Sequence, residues 1–391
     1  MFRSPPRVTI VSDTVDDING VAIGLRRLVA AATRAGHSAS LVGPASATRP
    51  ADDGVVRIPP AMTAVLPFYT QMTWTVPSLP ALVDHLARCT DLVQLATPGP
   101  MGIAGLIAAR MLGLPVIAQY HTEVADYAAH MTGMPFVREL VGPIVGWFYQ
   151  QADLCLAPSA AVDKRLVELG VPRARIQRVA RGVDPDLFHP RRRDRAALAR
   201  HEVGRGPVAL YVGRLSREKN LDTLAAAWRL VHATHPDATL LVVGDGPYAS
   251  AAVGPNVIQL GARHGEELAA LFASADVFAF PSETETFGNV VIEAAASGLP
   301  IVVAAAGAAH EHVIDGITGE VCPGRDPTAF ARAIVQLFDD APRRQRMGEA
   351  ARAHALRFDL ARAVRSTWDL YHGVLRTRPA AAAPALLERA S

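Results

Sequence analysis

Short runs of Val, Ile, Leu and Ala, each closed by a turn and followed by a stretch of helical periodicity, recur from one end of the chain to the other. That alternation confines the chain to the α/β class. In the first half the strand candidates are "VTIVSD" (8–13), "DLVQLATP" (91–98), "LPVIAQYH" (114–121), "DLCLAPS" (153–159) and "IQRVARGVD" (176–184). A polar, proline-bearing connection, "DPDLFHPRRRDR", interrupts the series. It restarts with "PVALYVGR" (207–214) and continues through "ATLLVVGDGP", "VIQLG", "DVFAFPS" and "LPIVVAAAG". Because these runs are almost continuously apolar rather than alternating, they predict parallel sheets covered on both faces by helices. Two doubly wound, Rossmann-like domains are expected, meeting near residues 185–206: 1–190, then 191–365. In such sheets ligands sit beyond the carboxyl ends of the strands, so two facing domains would form a cleft.

A chain of 391 residues is long enough for two cores. Half of it is apolar, yet no uncharged apolar run reaches the length of about 18 that a spanning helix requires. The N-terminus enters a strand almost at once, leaving no room for a leader, and a cytoplasmic place is expected. Cys89, Cys155 and Cys322 lie far apart, which speaks for buried thiols rather than zinc or a disulfide framework. Lys and Arg number 39 against 37 Asp and Glu, a net charge of +2. That balance lacks the basic excess of a nucleic-acid groove. The knot "RRRDR" (191–195) reads as a solvated linker, and the tail "RPAAAAPALLERAS" as low-complexity.

Every conspicuous polar cluster falls at the end of an expected strand. Arg214 ends "ALYVGR" and Lys219 follows five residues later, two cations suited to a diphosphate at a helix start. The plainer alternative pairs them with Glu218 and Asp222 at the surface. Gly244-Asp245-Gly246 with Ala249 satisfies a loose dinucleotide pattern. Asp245 would oppose a pyrophosphate and Pro247 interrupts the loop, so a tight turn is expected instead. "SETETFGNVVIEAAASG" (282–298) reads as a strand exit, a loop and a helix closed by Gly298, with Pro300 beyond. Glu285 and Glu293, eight residues apart, are poorly placed to share one atom. They suit the two ends of a clamp, with backbone amides from Phe287, Gly288 and Asn289 onward holding an anion between them. A ligand with hydroxyls at both ends and a diphosphate in the middle is a nucleotide sugar. Opposite, Gly20 after the first strand would let backbone approach a phosphate, and His121 ends the third strand candidate. His310-Glu311-His312 lacks the further ligands that a metal would need.

In this order, "INGV", "YHT" (120–122), "RGVDPDLFHP", "VGRLSREKN", "VVGDGP" and "PSETETFGNVVIEAAASGLP" with its E-x7-E resemble the retaining GT-B glycosyltransferases of family 4. The resemblance runs over nearly the whole chain. It implies transfer of a hexose from a nucleoside diphosphate sugar with retention, with no metal and no cofactor beyond the donor. It assigns Arg214 and Lys219 to the diphosphate, Glu293 to the ribose, Glu285 to the donor sugar, and Gly20 to a phosphate contact. His121 becomes the sugar-pocket histidine. It also implies that the C-terminal stretch, about 366–391, packs back on the first domain. "SDT…INGV" with "YHTE" is most similar to lipid and cell-envelope mannosyl- and sulfoquinovosyltransferases. On that ground GDP-mannose is preferred to UDP-glucose, the acceptor is a lipid or glycan, and a peripheral place at the inner face of the membrane stays open. Asp16-Asp17 departs from those relatives, which bears on the acceptor. The apolar stretch 61–82 either borders a lipid acceptor or packs. Rival readings are an epimerase or phosphorylase on the same fold, or a non-catalytic nucleotide-sugar binding protein.

Overall fold

The computed structural model describes residues 5–16, 20–45, 53–66, 69–179 and 181–377. The expected tail therefore lies outside the described residues. The chain divides into two compact units, Met1–Ala180 with Ala361–Ser391, and Arg181–Leu360. The division falls ten residues before the one expected at 190 and five before that at 365. The reason is local pairing: the Val183 amide donates to the Phe358 carbonyl at 2.8 Å and the Leu360 amide to the Val183 carbonyl at 3.0 Å. "GVDPDLFHP" thus belongs to the second unit. So does the basic knot, which is not a solvated linker. Arg193 and Arg195 bracket the buried Asp276 carboxylate at 2.8 and 3.3 Å.

In the first unit, strands β1 (Arg7–Val11), β2 (Ser38–Pro44) and β3 (Val55–Ile58) precede a hairpin of β4 (Pro60–Leu66) and β5 (Tyr69–Pro77). Then come β6 (Leu92–Leu95), β7 (Val116–Gln119), β8 (Leu154–Ala157) and β9 (Ile176–Arg178). Seven of them form one sheet in the order β3-β2-β1-β6-β7-β8-β9, and β4 pairs only with β5. All neighbours within the sheet are parallel. The central strands β6 and β7 are buried along their whole length, as strands covered on both faces must be. The apolar stretch 61–82 is therefore largely the antiparallel hairpin, with Met62 59% exposed at its edge. The helix Leu360–Thr377 is tied into this unit: Trp368 stacks on His37 with ring centroids 4.7 Å apart. The Tyr371 hydroxyl donates to the buried Gln94 carbonyl oxygen, whose amide donates to Gln119 at 2.8 Å.

The second unit holds β10 (Val208–Val212), β11 (Thr239–Val243), β12 (Val257–Gly261), β13 (Val277–Phe280), β14 (Ile301–Ala304) and β15 (Gly319–Cys322). They form a parallel sheet in the order β12-β11-β10-β13-β14-β15. In both sheets the order reverses beside the first strand, between β1 and β6 and between β10 and β13. Ligands of doubly wound sheets bind at such a reversal. Each unit has its own buried cluster, that of the second built on β10, β11, β13 and β14. Among the described residues no helix is long and apolar enough to cross a membrane.

Candidate active site

The reversal beside β10 explains why distant residues meet. Arg214 leaves β10 directly, and Lys219 ends a short 3-10 turn, Arg217–Lys219, two residues before the helix Leu221–Thr234. Glu285 lies in the loop after β13, the neighbouring strand. The Lys219 ammonium donates to the Glu285 carboxylate, with both side chains only about one-sixth exposed (16% and 17%). The Ser282 hydroxyl donates to the same oxygen at 3.0 Å. Burial alone would push the Glu285 carboxyl up. The Lys219 ammonium, the Ser282 hydroxyl and the charge of Arg181 overcome it and hold the group below the usual carboxylate range. The surface alternative for Lys219 does not apply. Glu218 accepts from the Ser216 hydroxyl at 2.5 Å, and Asp222 accepts from the Tyr248 hydroxyl at 2.8 Å.

The neighbouring strand exit buttresses this mouth. The Leu215 amide donates to the Asp245 carbonyl at 2.9 Å. Gly244, at φ +147, lies so close that a Cβ there would stand 1.8 Å from the Gly213 carbonyl oxygen. Gly244-Asp245-Gly246 is thus a tight turn packed on the 213–215 segment, as its proline and aspartate suggested.

Beyond Glu285 the chain turns at Gly288, which has φ +86, and enters the helix Asn289–Ala296. No side chain caps that start, so its first amides stand where the dipole favours an anion. Phe287 is buried, and only its backbone belongs to the turn. Glu293 lies in the middle of the helix, 6% exposed. Four of the eight steps between the glutamates precede the helix, and the other four rise about 6 Å. Glu285 and Glu293 thus occupy different parts of the element, one in the loop and one on the helix.

Three second-unit residues beside this site escaped the reading as binding groups. Arg181, in the "RGVD" run assigned to the linker, stands over the Phe287 ring at 5.7 Å. Burial lowers its pKa to about 10 against the pull of Glu285. Ser282 lay inside the quoted stretch without a role. His312, weighed only as a metal ligand, contacts the backbone of Phe287. Among the described residues no three His, Cys, Asp or Glu side chains converge as a metal site.

The first unit carries the other two candidates. Gly20 is the first residue of the helix Gly20–Arg34, and residues 17–19 before it, Asp17 included, lie outside the described residues. Asp16 is held by Arg57, which donates to both carboxylate oxygens at 2.7 Å. His121 follows β7 and is buried. Its loop is fixed by the Tyr120 hydroxyl donating to Glu123 at 2.7 Å and by Arg165 donating to the same carboxylate at 3.3 Å.

The family described as "Glycosyltransferase Family 4" matches residues 18–187, and "Glycosyl transferases group 1" matches residues 206–340. The chain is 33% identical over 360 residues to a GDP-mannose-dependent alpha-mannosyltransferase of Mycobacterium tuberculosis, covering 90% of this chain and 92% of the relative. It is 33% identical over 304 residues to a sulfoquinovosyl transferase of Arabidopsis thaliana, covering 75% and 59%. Among solved structures, sucrose-phosphate synthase from Thermosynechococcus elongatus superposes with a TM-score of 0.77 at 23% identity, over 96% of this chain and all of the other. The chain belongs to the family 4 glycosyltransferases, with a group 1 glycosyltransferase domain in its second half, and has the GT-B fold.

Proposed function

We propose that this glycosyltransferase moves a hexose, with GDP-mannose preferred to UDP-glucose as donor, to a lipid or cell-envelope glycan with retention of configuration. The observation that carries the donor-side reading is the Lys219–Glu285 pair at the strand-order reversal, beside an uncapped helix start. The mannose preference is supported by the mannosyltransferase relative that matches nine-tenths of the chain. In this reading Arg214, Lys219 and the amides after Gly288 bind the donor diphosphate. As the bond from the anomeric carbon to the phosphate oxygen breaks, the electron pair leaves with the phosphate, and these cations stabilise it. The acceptor hydroxyl adds on the same face and gives its proton to the departing phosphate oxygen, so no protein nucleophile is required. Glu293 binds the ribose and Glu285 lies by the donor sugar, where positive charge develops. Gly20 offers its backbone to phosphate and His121 lines the sugar pocket. The cations and amides do the work of a metal, and the enzyme acts in the cytoplasm, at the inner membrane face when the acceptor is a lipid.

Incubation with labelled GDP-mannose and UDP-glucose, each with a membrane-lipid extract, tests this reading. It expects free nucleoside diphosphate together with an α-linked product. An epimerised nucleotide sugar, a sugar phosphate, or binding without turnover would each replace the proposal with a rival.

A further inference from the structure

The turn that opens the helix Asn289–Ala296 is gripped from behind by residues 307–312. The Ala308 amide donates to the Glu285 carbonyl at 2.9 Å. A Cβ on Gly288 would stand 3.2 Å from the Ala309 Cα, so the two backbones are in contact. His312, 5% exposed, completes the grip. One imidazole nitrogen, Nε2, lies 2.7 Å from the Phe287 carbonyl oxygen. Because a carbonyl only accepts, Nε2 carries the proton. The ring meets the Phe287 ring at 67° with centroids 4.4 Å apart, and the Phe358 ring at 82° and 5.2 Å, both edge-to-face contacts that fix its plane. Burial lowers the imidazole pKa to about 4, against the pull of the Phe287 bond and Glu311 and together with the influence of His354 and His310. It is therefore a neutral donor at physiological pH.

The consequence lies in the next amide. In a planar trans peptide the carbonyl of one residue and the N–H of the next point in opposite directions. Holding the Phe287 carbonyl toward His312 therefore aims the Gly288 N–H away from it. Glycine, lacking a Cβ, readily accepts both orientations of the preceding peptide. Nothing intrinsic to Gly288 prevents a flip that would point an oxygen where an amide is needed.

We propose that His312 is a positioning residue for the nucleoside diphosphate: it locks the Phe287–Gly288 peptide so that amides, not a carbonyl, face the phosphate. This rests on the donor-site reading above. It differs from mere core packing in predicting that the hydrogen bond, rather than the ring, governs ligand affinity.

The test measures calorimetric affinity for GDP and for UDP in the wild type, His312→Phe and His312→Gln, with thermal melts alongside. His312→Phe keeps an aromatic ring and loses the donor. It should weaken binding about tenfold, the cost of one lost buried hydrogen bond. His312→Gln, whose amide can donate again, should stay within about threefold of the wild type. Equal affinity in His312→Phe and the wild type would overturn the proposal and leave the donor site standing, as would equal losses in both variants. A wild type that binds neither nucleotide would remove the donor-site reading and the proposal together. Should His312→Phe fail to fold, the wild type supplies the answer by nitrogen-15 spectroscopy of the imidazole. The protonated Nε2 signal should shift on saturation with whichever nucleotide binds, and an unmoved signal would overturn the proposal.

Discussion

Lys219→Ala tests the centre of the site, because its effect on stability and its effect on chemistry can be read separately. The ammonium is bonded to Glu285, and both side chains are more than four-fifths buried. Removing one member of a buried pair leaves the other charged and poorly solvated, at about 3–5 kcal/mol. Here Ser282 still donates to the carboxylate and Arg181 still faces it, so about 2–3 kcal/mol is the fitting range. For a unit of this size that lowers the melting temperature by about 5–10 °C.

The pH dependence follows with its sign. In the wild type the Glu285 pKa is held down, so its contribution to stability is present above the unfolded carboxyl pKa and is lost as pH falls through the folded value. Without Lys219, burial pushes the group up and the sign reverses: the variant's deficit should be largest near neutral pH and shrink as pH falls and the carboxyl takes up its proton. If the same ammonium stabilises the leaving diphosphate, turnover should fall about a hundredfold or more. Lys219→Arg should recover part of both losses. Differential scanning calorimetry across the acid range and steady-state turnover are the assays. A lowered melt with normal turnover would make Lys219 structural only, and unchanged values of both would refute the reasoning.

Activity should persist in excess chelator, because cations and amides are assigned the metal's work; loss restored by manganese or magnesium would defeat that assignment. Glu293→Gln should mainly weaken donor affinity, since a ribose ligand acts alike in ground and transition states, and calorimetry beside steady-state constants checks it. His312, pushed down to about 4, takes up its proton more readily in the unfolded chain, whose histidine pKa is about 6.5. Its contribution of about 3 kcal/mol is therefore complete above pH of about 6.5 and disappears as pH falls toward about 4. A His312→Gln melt should lack that part of the acid dependence.

Strands that are buried on both faces announce themselves by composition, which is why β6, β7, β10, β11, β13 and β14 were legible. The missed ones break that rule. β2 contains two serines and ends in Gly43-Pro44, with only its middle buried. β15 is four residues long and includes Glu320. The hairpin β4–β5 lies outside both parallel sheets, so a pattern tuned to continuous apolar runs took it for an apolar surface or packing segment. Of the candidate site, Lys219 and Glu285 were each conspicuous in the sequence, but not as a pair. Lys219 and Glu285 are 66 positions apart, and only the strand order makes their loops neighbours. Arg181 was hidden because a motif at a domain boundary reads as connection, and His312 because two histidines around a glutamate suggest ligation. The grip on a carbonyl has no composition of its own.

The pairing of Lys219 with Glu285 also gives a signed expectation for the acid. An ammonium has three donors, so Lys219 can keep its bond to Glu285 while donating to a phosphate oxygen. The carboxylate then stays beside a bound dianionic group and repels it. At a separation of about 8 Å and an effective dielectric of about 20, that repulsion is about 2 kcal/mol for each phosphate charge, about 4 kcal/mol for the dianion before screening. Glu285→Gln removes the charge and keeps a side-chain oxygen for Lys219 and Ser282. Binding of GDP or UDP should therefore tighten, by about tenfold after screening. Turnover should nevertheless fall, because the carboxylate is assigned to the positive charge that develops at the anomeric carbon. A purely structural Glu285 predicts the opposite pattern, in which the loop loosens and the nucleotide binds less well. A two-carboxylate mechanism around one bond predicts abolished chemistry in Glu285→Gln and Glu293→Gln alike. Calorimetric affinities for both nucleotides and steady-state constants for the two variants separate these cases. Weaker nucleotide binding in Glu285→Gln would remove Glu285 from the role given to it, and a trapped covalent glycosyl adduct on that residue would remove the same-face mechanism too.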